Sequence, residues 1–366
     1  MAVSILTKPD IVFSSALGDV WISTDEDFAD IELTSHNGSV LLAERLYAFG
    51  GRICLYDISS LIEMDMRASG SAVAKYTLSV YPGDSRIPQD SCSFSVVYCD
   101  RCISAGSPRD FLKENFLTTL TCRRVAPEAA IRLCFYAEAN EPTGYYIAAN
   151  YRVAGTVGVL TETASVNAGE TAATSGVVEI NLTIEGIAAT LVNESADAVE
   201  ILSFSVFCGN RAATFFVDRE LEGGDLFAFR NCFNAVDFVV LPSATTAKSV
   251  VDRSEVMVNG AAELYDQSLT RSYEVETGPL TSDEAEFIDQ LFATASVYVT
   301  KAEDVGPTGA TDPREAIITE STCEAYSGTD KLSSVKFTWR YRARRPLLSA
   351  YKPGDIFSEP YNPVFS

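Results

Sequence analysis

Histidine is nearly absent from this sequence: among 366 residues there is one, His36. That excludes multi-histidine metal centres and leaves a Ser-His-Asp or Cys-His arrangement little to build on, since each needs an imidazole held beside a nucleophile. His36 itself lies in "HNGS", where Asn-Gly marks a hairpin turn, an ordinary place for a solvated histidine. Also missing are G-x-S-x-G, G-x-x-x-x-G-K-[ST] and any G-x-G-x-x-G after a strand, so nucleophile-elbow, P-loop and dinucleotide-binding chemistry have no signature. No stretch of about eighteen apolar residues runs uninterrupted, so no membrane-crossing helix is expected. The opening "MAVSILTKPDIVFSS" lacks a basic stretch followed by a sustained apolar run, which leads us to expect a chain made in the cytoplasm without a signal peptide.

Basic residues are also few. Lys and Arg number 28 against 50 Asp and Glu, a formal charge of -22. Such a field repels phosphate backbones and anionic headgroups, so neither nucleic acid nor membrane is an expected partner. The main basic cluster, Arg340, Arg342, Arg344 and Arg345, reads as a strand end that is solvated or meets an acidic neighbour.

Cysteines are nine, an odd number, and scattered through apolar runs such as "SVFCGN" and "IRLCFYA". Buried reduced thiols fit that pattern better than a disulfide framework. The one close pair, Cys99 and Cys102, lacks the second close pair of a zinc knuckle and the βαβ setting of a redox motif. No cofactor or metal is expected. Acidic clusters have bland readings as well: "STDEDFAD" (23–30) lacks the order of a calcium loop, and Asp283, Glu284 and Glu286 suit a helix start. Paired carboxylates for glycoside hydrolysis remain open in so acidic a chain, but no catalytic group stands out, and the chain is expected not to be an enzyme.

What is abundant is Val, Thr, Ser, Tyr and Phe in short alternating runs. "AVAKYTLSVYPGD", "CSFSVVYC" and "AIRLCFYAEA" each place apolar residues at every second position, the pattern of half-buried antiparallel strands. The expected fold is mainly β, with antiparallel sandwich or jelly-roll domains and a C-terminal β-rich module carrying one short helix. The segments are 1–150, then 151–243, which either stands alone or completes the first sandwich, then 250–346, then an extended arm over 347–366. In the third segment Asn259-Gly260 turns between short strands. Thr281 and Glu284 have capping-box spacing, and Ala285, Ile288, Leu291, Phe292 and Ala295 form one apolar face, predicting a helix over 282–294. "SSVKFTWRYRARRP" alternates most cleanly, with Val335, Phe337, Trp339 and Tyr341 on one side. The tail, with three prolines and four aromatics, suits either an arm along a neighbouring surface, touching it through Tyr351, Phe357 and Tyr361, or a frayed terminus.

Taken together, "YEVETGPLTSDEAEFIDQLFATASVYV", the later "AIITEST" and "LSSVKFTWRYRARRP" resemble a module of tail-associated virion proteins of bacteriophages and prophages. "FAFRNCFNAVDFVVL" is similar to the segment leading into that module, and "LLAERLYAFGGRICLYDISSLIE" resembles the N-terminal β-domains of such proteins. The resemblance implies a structural subunit of a tail or baseplate, located in the virion, with other copies of itself and neighbouring virion proteins as partners. The alternative is a β-sandwich that binds carbohydrate or a host surface, with Tyr145, Tyr146 and Tyr151 as stacking surfaces for a glycan.

Overall fold

The computed structural model describes residues 3–101, 107–153, 158–167, 169–191, 199–242, 246–259, 261–301, 305–306, 309–310, 313–324 and 333–343. Cys102, Arg344, Arg345, Tyr351, Phe357, Tyr361 and the whole 347–366 segment lie outside the described residues. The fold is mainly β, in antiparallel and mixed sheets packed as sandwiches.

Three cores follow one another along the chain. In the first, a five-stranded sheet runs in the order Ile11–Phe13, Asp90–Val97, Val73–Pro82, Phe28–Ser35, Val40–Tyr47. Its alternating inner residues, including Ile31, Leu33, Leu78, Val80 and Phe94, pack with a three-stranded sheet of Val3–Ile5, Val20–Thr24 and Arg52–Leu55. Helix α1, Ile58–Ser69, buries Ile58, Ile62 and Met66 against the same core at four-residue steps. The Asn37-Gly38 turn joins Phe28–Ser35 to Val40–Tyr47 as the dipeptide predicts.

The second core lies between a five-stranded sheet and a hairpin. The sheet runs Leu160–Val166, Tyr145–Val153, Val199–Cys208, Arg211–Val217, Cys122–Val125, the last pair parallel. The hairpin layer pairs Ala130–Ala137 with Gly176–Thr183. Phe135, Ile147, Phe204 and Phe215 fill the space between, and α3, Ile184–Leu191, closes one end. Helix α2, Pro108–Glu114, links the two cores. The expected boundary at 150 therefore needs correcting. It falls inside Tyr145–Val153, which is paired on both sides within the second core. The first core ends near Tyr98.

The third core is built on a seven-stranded antiparallel sheet in the order Val236–Leu241, Asp225–Arg230, Val297–Lys301, Arg314–Glu324, Ser334–Tyr341, Ala261–Glu276, Thr246–Val258. It begins at Asp225, not after 243. "GDLFAFRNCFNAVDFVVLP" is apolar nearly throughout because its hairpin is covered on both faces: Leu226, Phe238 and Val240 face the second core, Phe227, Phe229 and Leu241 the third. Helix α4, Ser282–Ala293, has the predicted capping box between Thr281 and Glu284 and packs Ala285, Ile288 and Leu291 on the sheet. Val335, Phe337 and Trp339 are buried together, as their alternation requires.

Candidate assembly surface

The third sheet does not end where its core ends. Ser334–Tyr341 pairs with Ala261–Glu276 only from Tyr273 to Glu276. Beyond Tyr273 the chain continues as a two-stranded ribbon, Thr246–Val258 against Ala261–Glu276, with Lys248 opposite Ser272 at its root and Val258 opposite Ala261 at its tip. At about 3.3 Å per residue this arm reaches roughly 35 Å past the sheet. Along Thr246–Val258 every residue is exposed except Ser254, which is half-buried. Val250, Val251, Val256, Met257, Val258, Leu264 and Leu269 all face water, Met257 with 68% of its surface exposed.

Three physical facts make this arm a candidate site. A two-stranded ribbon standing alone is marginally stable in water. Thr246–Val258 is the terminal strand of its sheet among the described residues, so its outer row of N–H and C=O groups is a template for another strand. Clustered exposed apolar side chains mark an interaction surface. The sequence shows only the Asn259-Gly260 turn and short strands beside it. A ribbon wet on both faces has no inside and outside to alternate between, so the period-two signal that reveals other strands is absent.

The root is pinned electrostatically. Glu274 accepts from Lys248 at 2.8 Å and from Lys336 at 2.5 Å, and these two ammonium groups hold its carboxyl down at about 2. The register that sets Trp339 opposite Tyr273 also places Arg340 and Arg342 just past that pair, at the same end of the sheet as the arm. Arg340 is half-buried opposite Ile317, and Arg342 pairs with Glu315 of its own chain. The structure thus brings two of the predicted basic residues to the arm's root. The other predicted contacts, Arg344, Arg345, Tyr351, Phe357 and Tyr361, lie outside the described residues.

Other candidates resolve differently. Cys99 is fully buried, and burial pushes its thiol up. Among the described residues no three His, Cys, Asp or Glu side chains are placed to hold a metal ion. Glu284 closes the α4 cap and pairs with Arg124 at 3.2 Å, while Glu286 pairs with Arg101, so both tie α4 to its neighbours. Asp30 of the acidic 23–30 stretch pairs with Arg45 at 2.8 Å. A cavity of about 200 Å³ lies between the second core and α4, walled by Leu221, Phe238, Gly278 and Phe287 with Arg123 and Arg124 beside them. The three candidate tyrosines do not form one platform: Tyr151 is buried, Tyr145 half-buried, and only Tyr146 is exposed, stacked on Phe207 with ring centroids 4.7 Å apart.

No family model matches the chain, and no curated protein matches its sequence. Solved structures give weak likenesses. Trypsin-activated alpha-2-macroglobulin from Escherichia coli is 10% identical at a TM-score of 0.20, covering 75% of this chain and 22% of that one. The plexin A4 extracellular region is 8% identical at 0.23, covering 94% of this chain and 40% of that one. CBD12 from CALX1.2 is 11% identical at 0.18, covering 56% and 79%. The chain thus spans well under half the length of the first two.

Proposed function

We propose that this chain is a non-enzymatic structural subunit of a phage virion, in the tail or baseplate, that assembles through its β-surfaces. The observation that carries the assembly part is the arm at 246–276, which presents apolar side chains and an open strand edge to solvent. Partner strands would bury both, and no small-molecule role requires either. The virion part rests on the resemblance of the C-terminal module sequence. Light scattering on the purified chain from dilute to concentrated, with images of the concentrated sample, tests the reading. A defined oligomer of repeating geometry is expected. A monomer at every concentration would overturn self-assembly.

One observation favours a second reading, attachment to host glycan. Tyr146 and Phe207 lie as a stacked, partly exposed pair on the outer face of the second sheet, a surface on which a sugar ring can stack. Glycan-array binding that disappears in Tyr146→Ala would favour it.

A further inference from the structure

The open edge of the arm carries a pattern that selects one partner strand. The side chains of Arg253 and Glu255 have no ion-pair or hydrogen-bond partner among the described residues, and their neighbours across the ribbon are Gln267 and Leu264, which carry no charge. The ribbon's register shifts between Ser254 and Glu255, with the extra residue on the facing strand, so along Thr246–Val258 the two charges, two residues apart, share one face. When a second copy of Thr246–Val258 is laid antiparallel on the first with Ser254 opposite Ser254, Arg253 of each falls opposite Glu255 of the other. In the same register Val251 meets Met257, and Val250 meets Val258, in both directions.

Neighbouring registers lose this match. A slip of one residue either sets Asp252 opposite Glu255 or leaves no opposite charges facing. Slips of one position for each strand set Arg253 on Arg253 or Glu255 on Glu255. Like charges directly opposite destabilise a strand pair, whereas opposite charges and apolar pairs stabilise it. A two-fold contact needs such self-complementarity, because each residue meets its counterpart's partner twice.

The geometry points to a second copy of this chain as the occupant of the arm's edge: two arms pair antiparallel through Thr246–Val258, centred on Ser254, and join their ribbons into one four-stranded sheet. This rests on the self-assembly reading and names its contact. Because the arm stands outside all three cores, charge changes in it leave the folded body intact, which circular dichroism checks.

The test is a charge swap split between two chains. Arg253→Glu places two facing glutamates at each contact, and Glu255→Arg places two facing arginines. Each variant alone is expected to associate roughly ten- to a hundredfold more weakly than the unaltered chain by light scattering. Mixed together, the two variants match glutamate to arginine at both contacts, and association is expected to return as a mixed species. Variants that associate as well as the unaltered chain, or a mixture no tighter than either alone, would overturn the arm pairing while leaving self-assembly standing. An unaltered chain that stays monomeric throughout would overturn both.

Discussion

Arg123 and Asp237 meet at 2.7 Å with each side chain almost wholly removed from solvent. The arginine comes from the parallel edge strand of the second sheet, and the aspartate from the hairpin that opens the third, so the pair clamps one sandwich to the next. Asp237 also accepts from Thr118 and Asn231, and the guanidinium lies within 5.4 Å of the ring centres of Phe215, Phe238 and Phe287. Replacing Asp237 with leucine leaves a buried arginine without its counter-charge. That is expected to cost about 3–5 kcal/mol in denaturant unfolding. The pair replacement Arg123→Met with Asp237→Leu removes both charges and is expected to recover at least half of that loss. A double variant as unstable as the single one would show that the charges themselves stabilise the joint.

The N-terminal unit is held by a smaller joint. Asn234 donates from its side-chain amide to Met66 O at 2.7 Å and Ser71 O at 3.0 Å, and Arg230 donates to Gly70 O at 2.8 Å. These acceptors lie at and just past the C-terminal turn of α1, where the Met66 carbonyl also accepts from the Gly70 and Ser71 N–H groups. Asn234 also sits at a φ of 56°, which asparagine tolerates better than most residues. Asn234→Ala is expected to cost about 1–3 kcal/mol and to speed hydrogen exchange in the last turn of α1. Unchanged exchange there would mean the joint is held elsewhere.

How much of this was readable beforehand depended on whether a segment has one wet face. Phe28–Ser35, Val73–Pro82 and Ser334–Tyr341 alternate because one side is buried, and their strands follow from sequence. α4 was legible from its cap and its apolar spacing. Helix α1 was not: its start, Asp57, stands at a φ of 51° and its carboxylate accepts from the Ser59 and Ser60 hydroxyls instead of a helix backbone N–H, a geometry that residue type alone does not reveal. The hairpin at 225–241 is buried on both faces and the arm is exposed on both, so neither gives a period that assigns it to a layer. The arm's root cluster of Lys248, Glu274 and Lys336 joins residues up to 88 positions apart through strand register, which local spacing does not reveal.

Thiol reactivity should sort by burial. Cys134 and Cys232 have their thiols pushed up to about 12, first by burial and then by Glu179 beside Cys134 and the Cys99 thiol beside Cys232, so almost no thiolate exists at neutral pH. Cys122 is exposed. In the native chain a thiol reagent is expected to modify Cys122 quickly. Cys134 and Cys232 are expected to react at the rate of unfolding, reaching the fast rate in denaturant. Peptide mapping after brief labelling reads this out. Early modification of Cys232 would contradict the packing of the 231–235 turn against α2 and the first sheet.

Acid should loosen the arm's root only as pH falls toward about 2, and Glu274 sets that window. Its folded carboxyl titrates at about 2, below the usual 4.5, because Lys248 and Lys336 donate to it. A group depressed on folding binds fewer protons in the folded state, so its contribution is complete above about 4.5 and is lost as pH falls through about 2. Because the cluster is solvent-exposed, added salt should shrink the effect. Tyr273, next to Glu274, stacks on Trp339 with ring centroids 4.5 Å apart, so tryptophan fluorescence reports on the root. The difference in fluorescence between the unaltered chain and Glu274→Gln is expected to be constant above pH 4.5 and to vanish toward pH 2. A difference that persists at pH 2 would show that the glutamine disturbs packing rather than removing a charge. If the two profiles coincide at every pH, the ion pairs do not hold the arm to the sheet.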